Sequence, residues 1–308
     1  MTKAVAGALV VQTAMIAGLL TVVADQIAHT HVEKLGGVNI WGYRGPVMHQ
    51  KKRNEIRIAV VGGDLSFGWG VAASETLAPA VRQLVALALD RPGTAAVTFT
   101  SVTLGARGLA PHEYAAWIER YAYLRPDVIC VVPDPLDHVP TAGPFVPDRR
   151  SRAFTTWGYS PILPLVLEEK GARGKSPLRR ILGGTLDSVD GLFGTDTRGA
   201  AAVVPDPAYI DALQSAVRTG LRIASAVVVV LAPHDQDGLD RARVRQLLAS
   251  ADGGRRVRVV DLADDPAMHD EGLRLDGFSF STAGHAAAAQ DVAPAVIDLI
   301  RERDGKTR

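Results

Sequence analysis

Five short runs of β-branched and apolar residues alternate with longer stretches of helical periodicity from residue 56 onward. This alternation is typical of a parallel sheet whose strands are joined by helices. The sequence predicts strands at residues 57–61, 97–104, 128–132, 226–231 and 257–262, and helices at 75–89, 112–124, 207–224, 239–250 and 284–303. Five parallel strands with right-handed crossovers give a flavodoxin-like three-layer α/β/α sandwich, whose binding crevice lies outside the carboxyl ends of the strands. We therefore expect functional residues in the loops that follow the strands.

An uncharged apolar segment, residues 4–24, lies between Lys3 and Asp25. A helix needs about 20 such residues to cross the hydrocarbon layer of a membrane. We expect one transmembrane anchor over residues 1–26, and the alternatives are a cleaved signal peptide and a buried core helix. Lys3 and the terminal amine favour a cytoplasmic N-terminus, which puts the soluble part on the extracytoplasmic side, although the basic cluster at residues 51–53 opposes this orientation.

Two further regions are expected after the anchor. Residues 27–54 form a juxtamembrane connector, and residues 55–305 form one α/β domain. The crossover between the third and fourth strands is unusually long and rich in Gly, Pro and Arg, which indicates an insertion at about residues 138–205. Its apolar run 155–167 and basic run 175–184 fit either a patch that rests on the membrane or a lid that packs on its own domain. We prefer the lid, because apolar runs in insertions usually find local cover.

Charge and cysteine content narrow the function classes. The formal net charge of +1 lacks the basic surplus of a nucleic-acid-binding protein, so no nucleic-acid partner is expected. The single cysteine, Cys130, cannot form an intramolecular disulfide and is expected to lie buried in the third strand. We assign no cofactor and no resident metal.

Three sequence motifs resemble those of one enzyme family. VNIWGYRGP (residues 38–46) precedes the first predicted strand, IAVVGGDLSFGWGV (58–71) spans its end, and DGFSFSTAGHAAAA (276–289) precedes the last helix. They resemble the elements N-x-x-G-[FY]-R-G, GDS-x-[ST]-FG-x-G and D-x-x-H-L-[NS]-x-x-GH-x-x-x-A of membrane-anchored bacterial SGNH/GDSL hydrolases. The resemblance extends over residues 38–303, and it implies the SGNH hydrolase fold and a cell-envelope context.

The resemblance also implies a set of catalytic positions. In that family a serine after the first strand attacks an acyl carbon, a histidine takes its proton, and an aspartate orients the histidine. A glycine and an asparagine help to hold the oxyanion. Here Asp64 stands at the serine position, Ser279 at the histidine position and Leu136 at the asparagine position, whereas Gly105 and Asp276 are retained.

Other polar residues of the same loops are candidates for binding. Ser66 lies two positions after Asp64, where a structural hydroxyl in a turn is expected. Asp134 and Asp137 flank Leu136 after the third strand, and His234 follows the fourth. A hydrolytic route through Ser66 or Ser279 would need a hydroxyl within hydrogen-bond reach of His234. His285 matches the second histidine of the last motif and is expected to be structural.

Nucleophile, base and one oxyanion donor are therefore replaced together. We expect a catalytically degenerate SGNH/GDSL hydrolase-like protein of the cell envelope that acts by binding or assembly rather than ester hydrolysis. Its expected partners are the membrane, through the N-terminal helix, and an envelope carbohydrate or protein. The alternative is an active hydrolase or acyltransferase, acting on acylated envelope carbohydrate through a non-standard site with Asp64, Asp276 and His234. Converging carboxylates in that site could also hold a divalent cation.

Overall fold

The structure is a computed structural model that describes residues 3–31, 37–39, 41–90, 97–133, 156, 161–163, 207–233, 241–252, 255–275 and 279–306. Most of the expected insertion at 138–205 lies outside the described residues.

A five-stranded parallel sheet forms the middle layer, in the strand order β2-β1-β3-β4-β5. The strands are β1 (Glu55–Gly62), β2 (Thr98–Thr103), β3 (Val128–Val132), β4 (Ala226–Leu231) and β5 (Val257–Asp261). All four pairs of neighbouring strands are parallel. This order is the flavodoxin-like one, so the predicted α/β fold with five parallel strands is confirmed.

The described part of the chain forms helices before, between and after the strands. They are α1 (Lys3–His31), α2 (Asp64–Phe67), α3 (Leu77–Leu89), α4 (Tyr114–Arg120), α5 (Pro207–Ile223), α6 (Arg241–Ala249) and α7 (Thr282–Lys306). The core residues of α3 and α7 pack on one face, and those of α4, α5 and α6 pack on the other. Side chains alternate between faces along a strand: in β1, Ile58 and Val60 belong to the first core, and Ala59 and Val61 belong to the second.

α1 is long and apolar enough to cross a membrane over Ala4–His29, by length and composition, and a signal sequence would meet the same criterion. The side chains of residues 4–23 are exposed, whereas Asp25, Ala28 and His29 near the end of the helix are buried. Asp25, which is 2% exposed, accepts hydrogen bonds from the Ile162 N–H (2.9 Å) and the Leu163 N–H (2.5 Å). His29 accepts one from the Val38 N–H at 3.3 Å. The last turns of α1 are thus tied to residues from two other parts of the chain.

A buried ion pair lies at the amino end of β1, opposite the expected crevice. Arg57 donates to Glu55 Oε1 through Nε (2.9 Å) and Nη2 (2.6 Å), and Thr100 Oγ1 donates to the same oxygen (2.6 Å). Burial alone would raise the pKa of Glu55, but hydrogen bonds from Thr100, the Lys52 N–H and Arg57, together with the charge of Arg57, lower this pKa to about 2. Glu55 is therefore ionised at neutral pH, and the hydrogen bond that it accepts from Thr100 joins β1 to its neighbour β2.

Candidate functional site

The chain turns sharply where β1 ends, at the position that the family resemblance assigns to the nucleophile. The Phe67 N–H donates to the Gly63 carbonyl (3.0 Å), and the Gly68 N–H donates to the Asp64 carbonyl (3.1 Å). Gly68 has a φ of +75°, in the left-handed region that glycine adopts without strain. This turn sets Asp64, the first residue of α2, beyond the carboxyl end of β1.

A buried arginine from the connector holds this turn. Arg44 is 2% exposed, and its guanidinium donates to the carbonyl oxygens of Phe67 (2.5 Å), Gly68 and Val71. It also lies over the Phe67 ring, 4.5 Å from the centroid. The Arg44 N–H donates to the Thr103 carbonyl at the end of β2 (3.0 Å). The arginine of the N-x-x-G-[FY]-R-G element therefore fixes the loop that carries Asp64.

The Asp64 carboxylate is engaged by a second arginine. Arg107, from the loop after β2, donates from Nε to Asp64 Oδ1 at 3.2 Å. The guanidinium of Arg107 stacks on the indole of Trp69, 3.8 Å from the ring centroid. The Arg107 and Asp64 side chains are 13% and 20% exposed, so the pair is largely shielded from water. A carboxylate, a guanidinium and an indole thus meet at the carboxyl edge of the sheet.

Ser66 points inward from the same turn. Its side chain is buried (1% exposed), and Oγ donates to the Gly63 carbonyl at 3.0 Å. The loop after β2 approaches this hydroxyl so closely that a Cβ on Gly105 would lie 2.3 Å from Ser66 Oγ and 2.5 Å from the Phe67 nitrogen. Glycine is therefore required at residue 105 for packing. The hydroxyl of Ser66 makes a hydrogen bond within its own turn and is not open to a substrate.

Ser279 lies on the segment that leads into α7. The residue is 8% exposed, and its carbonyl accepts a hydrogen bond from the Leu275 N–H at 2.9 Å. An isolated antiparallel bridge pairs Arg274 with Phe280, the residue that follows Ser279. The residue at the family's histidine position is thus held by a local backbone interaction and largely buried.

His285, in the first turns of α7, is fully buried (0% exposed). Its ring packs edge-on against Phe280 with 5.6 Å between the ring centroids. Neither ring nitrogen has a hydrogen-bond partner among the described residues. Burial, with a smaller contribution from the charge of Arg44, lowers the pKa of His285 to about 3. The imidazole is therefore neutral at physiological pH and part of the core.

Five of the predicted site residues, Asp134, Leu136, Asp137, His234 and Asp276, lie outside the described residues. Asp64, Ser66 and Gly105 are brought together at the end of β1, as the motif spacing implies. Within the described ranges, no group of three His, Cys, Asp or Glu side chains is placed to hold a metal ion.

Sequence reasoning missed Arg107 and Trp69 as members of this site, and it assigned no contact to Arg44. Arg107 stands between Gly105 and Gly108 in TLGARG (residues 103–108), and Gly105 is the glycine that the family resemblance assigns to the oxyanion site. The sequence did contain a signal for Arg107, since it is a charged residue in a tight loop after a strand, and such loops carry binding residues.

No protein-family model matches the chain, and no curated protein matches it. Among solved structures, the chain is similar to a protein assigned to the lipolytic G-D-S-L family from Desulfitobacterium hafniense DCB-2, with 10% identity, a TM-score of 0.39, and coverage of 77% of this chain and 98% of that one. It is similar to TesA with 12% identity, a TM-score of 0.42 and coverage of 79% and 99%. It is also similar to a catalytic mutant of the acetylxylan esterase Axe2 from Geobacillus stearothermophilus, with 13% identity, a TM-score of 0.41 and coverage of 78% and 93%. At these values the likeness is one of fold and does not extend to activity.

Proposed function

We propose that the chain is a membrane-anchored SGNH/GDSL hydrolase-like protein that no longer hydrolyses esters and instead binds an envelope carbohydrate. The observation that carries this proposal is the ion pair of Asp64 with Arg107 at the position of the family's nucleophile. In this proposal residues 1–26 are the anchor, residues 27–54 the connector, and residues 55–305 an extracytoplasmic domain with an insertion at about 138–205.

The chemistry of the described residues argues against acyl transfer. A nucleophile needs a lone pair directed at the substrate and a base that takes its proton. The carboxylate of Asp64 is stabilised by Arg107 at 3.2 Å, which makes it a weaker nucleophile. Ser66 and Ser279 are buried, and the buried imidazole of His285 is joined to neither of them by a hydrogen bond. Among the described residues, no serine hydroxyl is therefore paired with the His285 imidazole.

The same residues suit sugar recognition. Carbohydrate hydroxyls pair with carboxylates and guanidinium groups, and the apolar faces of sugar rings pack on indoles, as amphipathic ligands do on tryptophan. Asp64, Arg107 and Trp69 supply these three groups within one contact network. In the proposal Asp134, Asp137, His234 and Asp276 complete the crevice, because they follow other strands at the same edge.

The catalytic part of the proposal is tested with the full-length protein in neutral detergent. Hydrolysis of 4-nitrophenyl acetate is measured for the natural chain and for a variant with Asp64→Ser, Leu136→Asn and Ser279→His. We expect no turnover by the natural chain above the buffer rate, and turnover by the variant that restores the family's residues. Turnover by the natural chain that is lost in Asp64→Asn would refute the proposal and support the alternative hydrolase or acyltransferase.

The binding part is tested by retention of the protein on immobilised envelope polysaccharide. Trp69→Ala is expected to lower retention at least tenfold, because the stacked indole is lost. Trp41→Ala is the matched control, since Trp41 is 43% exposed and lies in the connector. Equal retention of both variants, or no retention of the natural chain, contradicts carbohydrate binding at this site.

A further inference from the structure

A cavity of about 880 Å³ lies beside the edge strand β2, and Asp64, Arg107 and Trp69 are not among the residues that line it. Its walls come from five parts of the chain: the last turns of α1, the connector, the 3-10 turn Ala73–Glu75, α3 and β2. The lining residues include Gln26 and His29 from α1, Arg82 from α3, and Phe99 and Ser101 from β2. The volume is within the range of about 300–1,000 Å³ that is typical of sites for small ligands.

The charged residues that line this cavity all belong to basic types. The arginines are Arg44, whose guanidinium is already bonded to carbonyls of the Asp64 turn, and Arg82; His29 and His49 lie beside them, and no Asp or Glu is among the described residues that line the cavity. Arg82 is half-buried and forms no hydrogen bond or ion pair with any residue that the structure describes. A partly desolvated guanidinium without a partner favours an anion in the cavity, because a planar fork of donors matches phosphate oxygens.

The carboxylates nearest to the lining histidines are already compensated. Asp25, 3.3 Å from His29, accepts two backbone hydrogen bonds from residues 162 and 163. Glu55, 3.1 Å from His49, is paired with Arg57. The carboxylates of Asp25 and Glu55 therefore do not pair with Arg82, and the cavity favours a negatively charged ligand.

Backbone donors face the same space. The Thr98 N–H donates a hydrogen bond to the Asn54 carbonyl, and the Leu104 N–H donates one to the Val60 carbonyl. The even-numbered residues of β2 therefore direct their N–H groups towards β1. In a parallel strand the odd-numbered residues then direct theirs to the opposite, outer side. On this outer side the Thr103 carbonyl accepts a hydrogen bond from the Arg44 N–H. The N–H groups of Phe99 and Ser101 lie on the same side, at the edge of the sheet that borders the cavity.

The position of the cavity at the end of α1 indicates that its ligand is an amphiphile. The side chains of α1 are exposed as far as residue 23, and the cavity begins at the following turn. A cavity at the end of a membrane-spanning helix lies at the level of lipid headgroups. Val47, Met48, Pro79 and Phe99 add apolar wall beside the basic groups. We propose that this cavity binds the phosphate of an anionic membrane glycerophospholipid, with Arg82 as its principal charged contact. The inference rests on the membrane anchoring in the proposed function.

The test titrates the full-length protein, in neutral detergent, with dioctanoyl phosphatidylglycerol, dioctanoyl phosphatidylcholine or sodium phosphate, and follows the thermal unfolding midpoint. Phosphatidylglycerol at ten times its dissociation constant should raise the midpoint by roughly 2–3 °C. The zwitterionic lipid and inorganic phosphate should have less than a third of this effect. Arg82→Gln should reduce the phosphatidylglycerol shift at least threefold. Arg301→Gln is the matched control, since Arg301 is an exposed helical arginine outside the cavity.

The outcomes separate this inference from the proposals on which it stands. An absent shift, or a shift that is equal in Arg82→Gln and the natural chain, overturns it. An equal effect of inorganic phosphate shows a site for free anions and overturns the lipid source. Extraction of the natural chain from membranes by sodium carbonate contradicts the anchor itself, whereas a chain that resists extraction and shows no lipid shift contradicts only this inference.

Discussion

Truncation of the connector arginine that holds the Asp64 turn is expected to destabilise the protein strongly. In Arg44→Ala the buried carbonyls of Phe67, Gly68 and Val71 lose their side-chain donor. A buried acceptor left without a partner costs about 1–3 kcal/mol, and loss of the cation over the Phe67 ring adds about 1 kcal/mol. Water that enters the space left by the arginine can hydrogen-bond to these carbonyls, and so it recovers part of the lost free energy. We expect a loss of about 3–6 kcal/mol in the free energy of unfolding, a large share of the roughly 5–15 kcal/mol that stabilises a typical protein.

Urea denaturation of the full-length protein in detergent at pH 7, followed by tryptophan fluorescence, measures this loss. Arg44→Lys keeps the charge but not the planar fork, so its free energy of unfolding should lie between those of Arg44→Ala and the natural chain. Arg222→Ala is the control, because Arg222 is 62% exposed and pairs with Glu119 on the surface, an interaction worth less than about 1 kcal/mol. A loss below about 1 kcal/mol in Arg44→Ala, with an unchanged denaturant slope, would refute the structural role given to this arginine.

Three further changes test the packing and the pH response. Gly105→Ala puts a Cβ 2.3 Å from Ser66 Oγ and should lower the free energy of unfolding by about 1–3 kcal/mol in urea melts. The pKa of Glu55 is about 2 in the folded protein against 4.5 as its ordinary value, so its stabilisation is complete above pH 4.5 and lost as the pH falls towards 2; Glu55→Gln should flatten that part of the stability profile. The pKa of His285 is about 3 against 6.5, so the unfolded chain binds the extra proton and stability falls from pH 6.5 to 3; in His285→Leu this slope should be missing, and its persistence would contradict the burial argument.

The sheet could be predicted from the sequence because its strands are buried on both faces. Such strands appear as continuous β-branched runs, and the predicted bounds of β3 and β4 agree with the structure residue for residue. The helix predicted at 112–124 was too long. The chain forms α4 only over Tyr114–Arg120 and then a 3-10 turn that ends at Arg125 with a φ of +52°. Residues there favour a helix locally, but the chain must turn to enter β3, and this tertiary requirement prevails.

The candidate site could be predicted only in part. The motif spacing brought Asp64, Ser66 and Gly105 to one turn, because those residues lie at the end of a strand or in the loop of its neighbour. The arginine contacts could not be predicted, since Arg44 reaches carbonyls 23–27 residues away and Arg107 reaches a carboxylate 43 residues away. Pattern and propensity describe neighbours in sequence, whereas these contacts depend on how the loops meet in space.

The hydrogen bonds at Asp25 have a mechanical consequence. They fasten the last turns of the N-terminal helix to residues 162 and 163, and His29 fastens the same turns to Val38. Asp25 and His29 thus restrain the last turns of the helix against residues 38, 162 and 163. If the helix crosses a membrane, these contacts keep the three residues beside the point where the helix leaves the bilayer.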